Sequence, residues 1–367
     1  MGGDPQAILQ QDDGLAWINS GGNGFHLARG LYSVAEKIFE EAFSNCMELC
    51  HDAELIIASR LAVIPGLVIA RHTGARCIPA YTLPAHPTEA FPSILMPFDA
   101  SLGGPGNRYS HIVTEQIYWL LFRSLLKRWR SRMQERNEVS IAGVCVPHQM
   151  IHGPGLLGAS PVVVPSEKGD PVKPTGYWVL DNTRGWSPPA ALIDFIAAGP
   201  PPICIGFGSM RVPAPERLAA IVGAALRENG TRAIVLTGWG ALQAVAPDDH
   251  IFVLEEAPHA WLLPQMKMMM HHGGAGTTAA CLRAGIPSVP VPFFADHMFW
   301  ARRLCALGVA PAPIPLRQIT AAHLASSIKQ VSTNPDFAKR AADLAVRLMA
   351  EDGPGEAIRI IDQAVTS

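Results

Sequence analysis

Charge is scarce in this chain. Only 16% of its 367 residues are Asp, Glu, Lys or Arg and the formal net charge is −2, which argues against a nucleic-acid binder that works by neutralising phosphates. Long apolar runs are missing as well: no stretch approaches the roughly twenty residues a membrane span needs. Met1-Gly2-Gly3-Asp4-Pro5 has neither the basic nor the apolar region of an export leader. The seven cysteines (Cys46, Cys50, Cys77, Cys145, Cys204, Cys281, Cys305) are odd in number and scattered, so reduced thiols are expected rather than a disulfide framework, and with them a cytoplasmic setting. Cys46, Cys50 and His51 lack a second ligand pair at zinc spacing, so no metal site is expected. What is abundant is apolar residue, 49% of the chain, enough for two globular domains each with its own core.

One stretch organises the rest, His271-His272-Gly273-Gly274-Ala275-Gly276-Thr277-Thr278. The apolar run Met266–Met270 before it reads as a buried strand, and the residues after it as a helix ending near Gly285 and Pro287. Glycines let main-chain N–H groups approach a ligand, Thr277 and Thr278 add hydroxyls, and a helix N-terminus carries roughly half a positive charge. Phosphate binding is the reading favoured over a purely structural turn.

Residues 1 to about 30 are glycine-rich and weakly patterned, with Gly21–Gly24 a loop. Leu31–Cys50 has the spacing of an amphipathic helix, Glu54–Ser59 and Arg76–Ala80 read as strands, and the strand, helix, strand rhythm predicts a parallel sheet. Between Tyr109 and Arg136 lies the longest helical pattern. Its apolar stripe is Ile112, Trp119, Phe122, Leu126, Trp129 and Met133, and its opposite face holds Arg123, Lys127, Arg128, Arg130 and Arg132. A core helix with a solvated basic face is favoured over one lying on an anionic membrane, and weak peripheral membrane contact stays a side hypothesis. The segment around Pro161–Pro165 reads as the last strand of the first domain, followed by a connection. Beyond it, strands are expected at Ile203–Phe207, Ala233–Leu236, Ile251–Leu254, Met266–Met270 and Ser288–Val291, alternating with helices. Ligands of such a sheet sit at the C-terminal strand ends. There lie Gly208-Ser209, Gly238-Trp239, Pro258-His259, His272 to Thr277 and Asp296-His297. Asp296 also fits a helix N-cap.

Gly206-Phe207-Gly208-Ser209-Met210, the stretch 271–278, and Val291-Pro292-Phe293-Phe294-Ala295-Asp296-His297-Met298-Phe299-Trp300 together resemble the donor-domain signatures of UDP-glycosyltransferases of the GT-B fold, nearest to the sterol 3-beta-glucosyltransferases and the bacterial antibiotic glycosyltransferases. The resemblance runs from about Arg76 to the C-terminus. It implies an α/β fold of two doubly wound, Rossmann-like domains facing across a cleft: an acceptor domain over 1–175, incomplete because the family's first β-α-β unit has no counterpart here, a donor domain over 176–345, and a C-terminal helix over 346–367 that returns to the first domain. The implied reaction is inverting transfer of a hexose, glucose by family precedent, from a UDP-sugar to a hydroxyl of a small lipophilic acceptor such as a sterol. No Asp-X-Asp motif occurs, in agreement with a mechanism without metal, and the nucleotide sugar is a co-substrate rather than a cofactor.

Carried over by position, His272, Gly274, Ala275, Gly276 and Thr277 hold the donor diphosphate, with Ser209 reaching it from the facing loop and Trp239 on the same rim. Ala257, Pro258 and His259 follow Glu256 in the segment that binds uracil and ribose. Asp296 and His297 hold hexose hydroxyls, His297 standing where relatives usually carry glutamine. Ala280 stands where plant relatives place a ribose-binding glutamate. The loop that supplies the relatives' catalytic aspartate has no counterpart, and His26, His86 and His111 read as surface or packed residues, so no catalytic base is assigned. Two alternatives stay open. One is a relative that binds nucleotide sugar without turnover. The other, a nicotinamide-dependent oxidoreductase, is disfavoured because no Gly-X-Gly-X-X-Gly turn precedes an acidic ribose ligand.

Overall fold

The computed structural model describes residues 43, 45–96, 101–133, 152–180 and 183–366. The loop at Gly21–Gly24, His26, Cys145, and all but the end of the helix expected over Leu31–Cys50 lie outside these residues. The chain divides into two compact units, Met1–Trp178 with Asp352–Ser367, and Val179–Glu351.

In the first unit, β1 (Leu55–Ser59), α1 (Val63–Thr73), β2 (Arg76–Tyr81), α2 (Gly104–Met133), β3 (Gly155–Leu157) and β4 (Val172–Pro174) follow in order. The four strands are parallel and lie side by side in chain order. Gly74 ends α1 at φ +82, a left-handed C-cap whose N–H bonds to the Ala70 carbonyl, as a glycine cap should. Helix α2 buries Tyr118, Trp119, Phe122 and Leu125 against Val63, Ile64, Ile69 and Phe43. Truncating one of these aromatics to alanine costs about 3–5 kcal/mol. The same helix carries Glu115, which accepts two hydrogen bonds from Arg60 (2.6 and 3.1 Å) while the guanidinium lies 4.3 Å from the Tyr118 ring centre. The C-terminal helix, Gly353–Thr366, packs Ala357, Ile360, Ile361 and Ala364 on Ile78, Leu156 and Trp178. It starts at a glycine because a Cβ at 353 would stand 2.5 Å from the Tyr177 carbonyl oxygen.

The stretch around Val162-Val163-Val164 is not the expected strand. Val163 and Val164 are fully buried, but they sit in a turn in which both N–H groups bond to the Ser160 carbonyl and the Val162 N–H bonds to Ser160 Oγ. Prolines on both sides and a serine hydroxyl that competes for the backbone outweigh the β-branched triplet.

The second unit is a five-stranded parallel sheet in the order β7-β6-β5-β8-β9, made of β5 (Ile203–Gly206), β6 (Ala233–Leu236), β7 (Ile251–Leu254), β8 (Met269–His271) and β9 (Ser288–Pro290). Its helices are α3 (Ala190–Ala197), α4 (Pro215–Asn229), the one-turn α5 (His259–Leu262), α6 (Ala275–Ala284), α7 (His297–Ala306), α8 (Ala321–Thr333) and α9 (Pro335–Met349). β5 and β6 are buried at every residue, as expected of strands covered on both faces. β8 begins at Met269 rather than Met266, because Leu263–Gln265 form a 3₁₀ turn whose Leu263 carbonyl binds the Met266 N–H. The strand order reverses between β5 and β8, the crevice where such sheets bind ligands.

Candidate functional site

Hydrogen bonds and close approaches tie the loops after all five strands into one rim. The Gly238 N–H bonds to the Glu255 carbonyl (3.0 Å) and the Trp239 N–H to the Gly208 carbonyl (3.1 Å). Gly238 has φ +51, and a Cβ there would lie 2.2 Å from the Gly208 oxygen, so these two loops meet only through glycine. Gly208 (φ +54) in turn lies against His272, its Cβ position 3.4 Å from the imidazole Cε1. Gly273 (φ +85) abuts the start of α7, its Cβ position 2.8 Å from the His297 carbonyl oxygen. Ser209 and Trp239 are half-buried beside these glycines.

At the centre is the N-terminus of α6. Gly274 is its N-cap, in extended conformation and without a side-chain cap bond. The first intrahelical bond in this turn runs from the Thr278 N–H to the Gly274 carbonyl, so the amides of Ala275, Gly276 and Thr277 have no intrahelical partner. A Cβ on Gly274 would stand 2.4 Å from His272 Nε2, so the imidazole lies directly over the helix start and residue 274 must be glycine. Thr277 is half-buried. Thr278, expected to offer a second hydroxyl, is fully buried because the helical turn points it into the core.

The two adjacent histidines differ in role. His271 is fully buried and its Nδ1 accepts the Gly273 N–H (3.1 Å), which puts its proton on Nε2 and makes it a brace for the glycine turn. His272 has a buried Nδ1 with no partner among the described residues, and its ring stands edge-on to His297 with centroids 4.8 Å apart. Phe207, Phe293 and Phe294 complete an aromatic wall around this pair. Burial is the main cause that pushes the His272 pKa down to about 3 and that of His297 to about 4, with the neighbouring imidazole adding to the effect on His272. Burial likewise holds His271 well below the usual range and lowers His259. At neutral pH these rings are uncharged, so His272 offers a hydrogen bond and no positive charge.

Asp296 does not cap α7 through its side chain. Its Oδ2 accepts the Trp300 indole N–H (2.7 Å), one turn along the helix. Burial raises its pKa, against the indole hydrogen bond. The residue before it, Ala295, is left-handed at φ +50, a conformation costing about 1–3 kcal/mol that persists where the surroundings enforce it. His297 Nδ1 faces the Phe294 N–H at 3.5 Å, so Nε2 is the ring nitrogen with a proton to donate. In the segment after β7, the Ala257 side chain is a core residue packed with Leu262 and Leu263. Pro258 is the N-cap of α5, and His259 opens that helix half-buried.

In the first unit, His86 and His111 are 2% and 1% exposed and form edge contacts with Phe91. Both pack against that ring, and His111 Nε2 lies 3.0 Å from the Phe91 carbonyl oxygen. Among the described residues no group of three or more His, Cys, Asp or Glu side chains is placed to hold a metal ion. Nor is any helix among them long and apolar enough to cross a membrane.

Two Rossmann-like parallel sheets, the second with a glycine-rich turn at its switch point, define the GT-B fold. The Streptomyces sp. SF2575 glycosyltransferase SsfS6, solved with thymidine diphosphate, superposes with a TM-score of 0.59 at 18% identity, over 92% of this chain and 76% of its own. Residues 234–363 match the erythromycin biosynthesis protein CIII-like C-terminal domain family. Two sterol 3-beta-glucosyltransferases of Arabidopsis thaliana are 34% identical to the chain. UGT80A2 matches over 76% of this chain and 44% of its own length, UGT80B1 over 98% and 58%. The chain is similar in sequence to the sterol 3-beta-glucosyltransferases and shares the GT-B fold, and it spans about half the length of these plant relatives.

Proposed function

We propose that the chain transfers a hexose, glucose by kinship, from a UDP-sugar to a hydroxyl of a sterol or similarly lipophilic acceptor, with inversion. The observation that carries this reading is the placement of the His272 imidazole directly over the unpaired amides that open α6. In it, the amides of Gly274, Ala275, Gly276 and Thr277 and the His272 N–H bind the donor diphosphate, with Ser209 and Trp239 on the facing loops. Charge develops on the leaving diphosphate as the glycosidic bond breaks, and fixed donors at a helix start stabilise it without reorganising. Loss of one such donor is worth about 3–4 kcal/mol in the barrier. Asp296, already held by Trp300, and the His297 Nε2–H are the proposed contacts of the hexose hydroxyls, while Pro258 and His259 flank the nucleoside.

The test is release of UDP and formation of a glycosylated product on mixing the chain with UDP-glucose and a sterol. Product formation that His272→Ala reduces at least a hundredfold supports transfer. Binding of UDP-glucose without any product makes the chain a nucleotide-sugar binder and overturns the enzymatic reading.

A further inference from the structure

His271 is not among the groups proposed to touch the donor, yet it sits at the root of the glycine turn. As the last residue of β8 it lies between two other strands, paired with Gly206 of β5 and Pro290 of β9, and its carbonyl accepts the Val291 N–H at 2.8 Å. Its side chain is fully buried, and from this frame Nδ1 accepts the Gly273 N–H at 3.1 Å. That N–H belongs to the planar peptide unit joining His272 to Gly273. One bond therefore orients both the backbone that carries the His272 ring and the chain entering Gly274, the N-cap of α6. On its other side Gly273, at φ +85, abuts α7, where a Cβ would stand 2.8 Å from the His297 carbonyl oxygen. The bond also withdraws the Gly273 N–H from any anion and leaves the amides of Ala275, Gly276 and Thr277, which no side chain caps, to meet it.

We propose that His271 is a positioning residue for the donor diphosphate, acting through Nδ1 and the Gly273 N–H to fix the turn so that the His272 ring and the α6 amides converge before the donor arrives. Fixed donors stabilise developing charge because they need not reorganise. A turn released at Gly273 regains the backbone freedom peculiar to glycine, and the donors lose their common aim. The proposal rests on the donor-site reading for the identity of the ligand, while the hydrogen bond is tested apart from it.

Two substitutions separate the acceptor from the ring. His271→Asn can place an amide oxygen where Nδ1 lies and accept the same N–H, whereas His271→Leu fills the space without an acceptor. Thr278→Val is the control for disturbed packing. Its hydroxyl is buried and has no partner among the described residues, and Cys281, one turn on, touches Met269 of β8 at 3.5 Å. Amide exchange at Gly273 and the nitrogen-15 spectrum of the histidines report the bond, and calorimetric titration of UDP-glucose reports its consequence. In the wild type the Gly273 amide should be protected and the His271 proton should sit on Nε2. His271→Leu, still folded by circular dichroism, should lose that protection and bind UDP-glucose about tenfold more weakly or worse, whereas His271→Asn should keep the protection and stay within about threefold of the wild type. Thr278→Val should bind like the wild type. A merely structural histidine would lower the thermal transition of His271→Leu and leave its donor affinity alone, which overturns the proposal. So does an asparagine variant that binds as weakly as the leucine one, since the ring's bulk is then what matters, and so does a wild-type Gly273 amide that exchanges freely or a His271 proton on Nδ1. Should His271→Leu not fold, the asparagine variant and the wild-type spectra still decide. A wild type that shows the bond but binds no UDP-glucose removes the donor reading and the positioning role with it, whereas binding that His271→Leu leaves unchanged removes the positioning role alone.

Discussion

Donor binding should proceed without proton uptake at neutral pH, although a histidine lies at the proposed phosphate site. The free His272 ring titrates at about 3 because it is buried and faces His297. A unit negative charge about 4 Å from the ring, at an effective dielectric near 20, favours the imidazolium by about 4 kcal/mol. That raises the pKa by about 3 units, to about 6. At pH 7.5 the bound complex then takes up only about 0.03 proton, so the calorimetric heat should not depend on the buffer's ionisation enthalpy. UDP-glucose is the right ligand, because its diphosphate, unlike the terminal phosphate of UDP, does not titrate in this range. A group whose pKa rises on binding strengthens binding as pH falls through the new value. Affinity should therefore be flat from pH 9 to 7 and about fourfold higher at pH 5.5. Uptake of half a proton or more at pH 7.5 would refute the reasoning, since it would make His272 a cation in the complex.

Three further outcomes follow from the packing. His86 and His111, each driven down to about 4 mainly by burial, leave stability intact above the unfolded value near 6.5 and withdraw it as pH falls towards 4. Each is worth up to about 3 kcal/mol, so the first unit's thermal transition should drop steeply between pH 6.5 and 4.5, and a flat profile contradicts their burial. Gly238→Ala should cost about 3 kcal/mol in urea denaturation, combining left-handed strain with the lost Trp239–Gly208 hydrogen bond. Gly230→Ala, with φ +55 but nothing within 4 Å of the new Cβ, should cost only about 1–2 kcal/mol, and equal losses would deny the loop contact. Glu115→Gln should destabilise by about 3–5 kcal/mol because it leaves the buried Arg60 charge uncompensated, whereas a loss under 1 kcal/mol would place that pair in water.

The strand ends of the second unit were legible because four-residue apolar runs such as Ile203–Gly206 and Ala233–Leu236, each closed by glycine or threonine, fit only a sheet covered on both faces. The glycines at 208, 238, 273 and 274 were legible as a turn chemistry. Their reasons were not, since the Gly208 carbonyl and the His272 ring that exclude a Cβ come from other strands. The uncharged state of His272 and His297 was hidden for the same cause: burial is a tertiary property, and adjacent imidazoles in a sequence look like charge. Asp296 reads as a cap until Trp300 is seen one turn along. In α2 the tryptophans drew the reading to the inward face, where Trp119 is indeed buried, and periodicity gave no sign that Ile117 and Leu120 remain outside.

The most direct measurement is calorimetric titration of UDP-glucose into the chain and into His272→Ala, with circular dichroism confirming that both are folded. Micromolar binding by the wild type, weakened in the variant by about 1.5–3 kcal/mol or roughly 10- to 150-fold, places the donor at the β8–α6 turn. A folded wild type that binds no UDP-glucose, or a variant that binds it equally well, contradicts that placement.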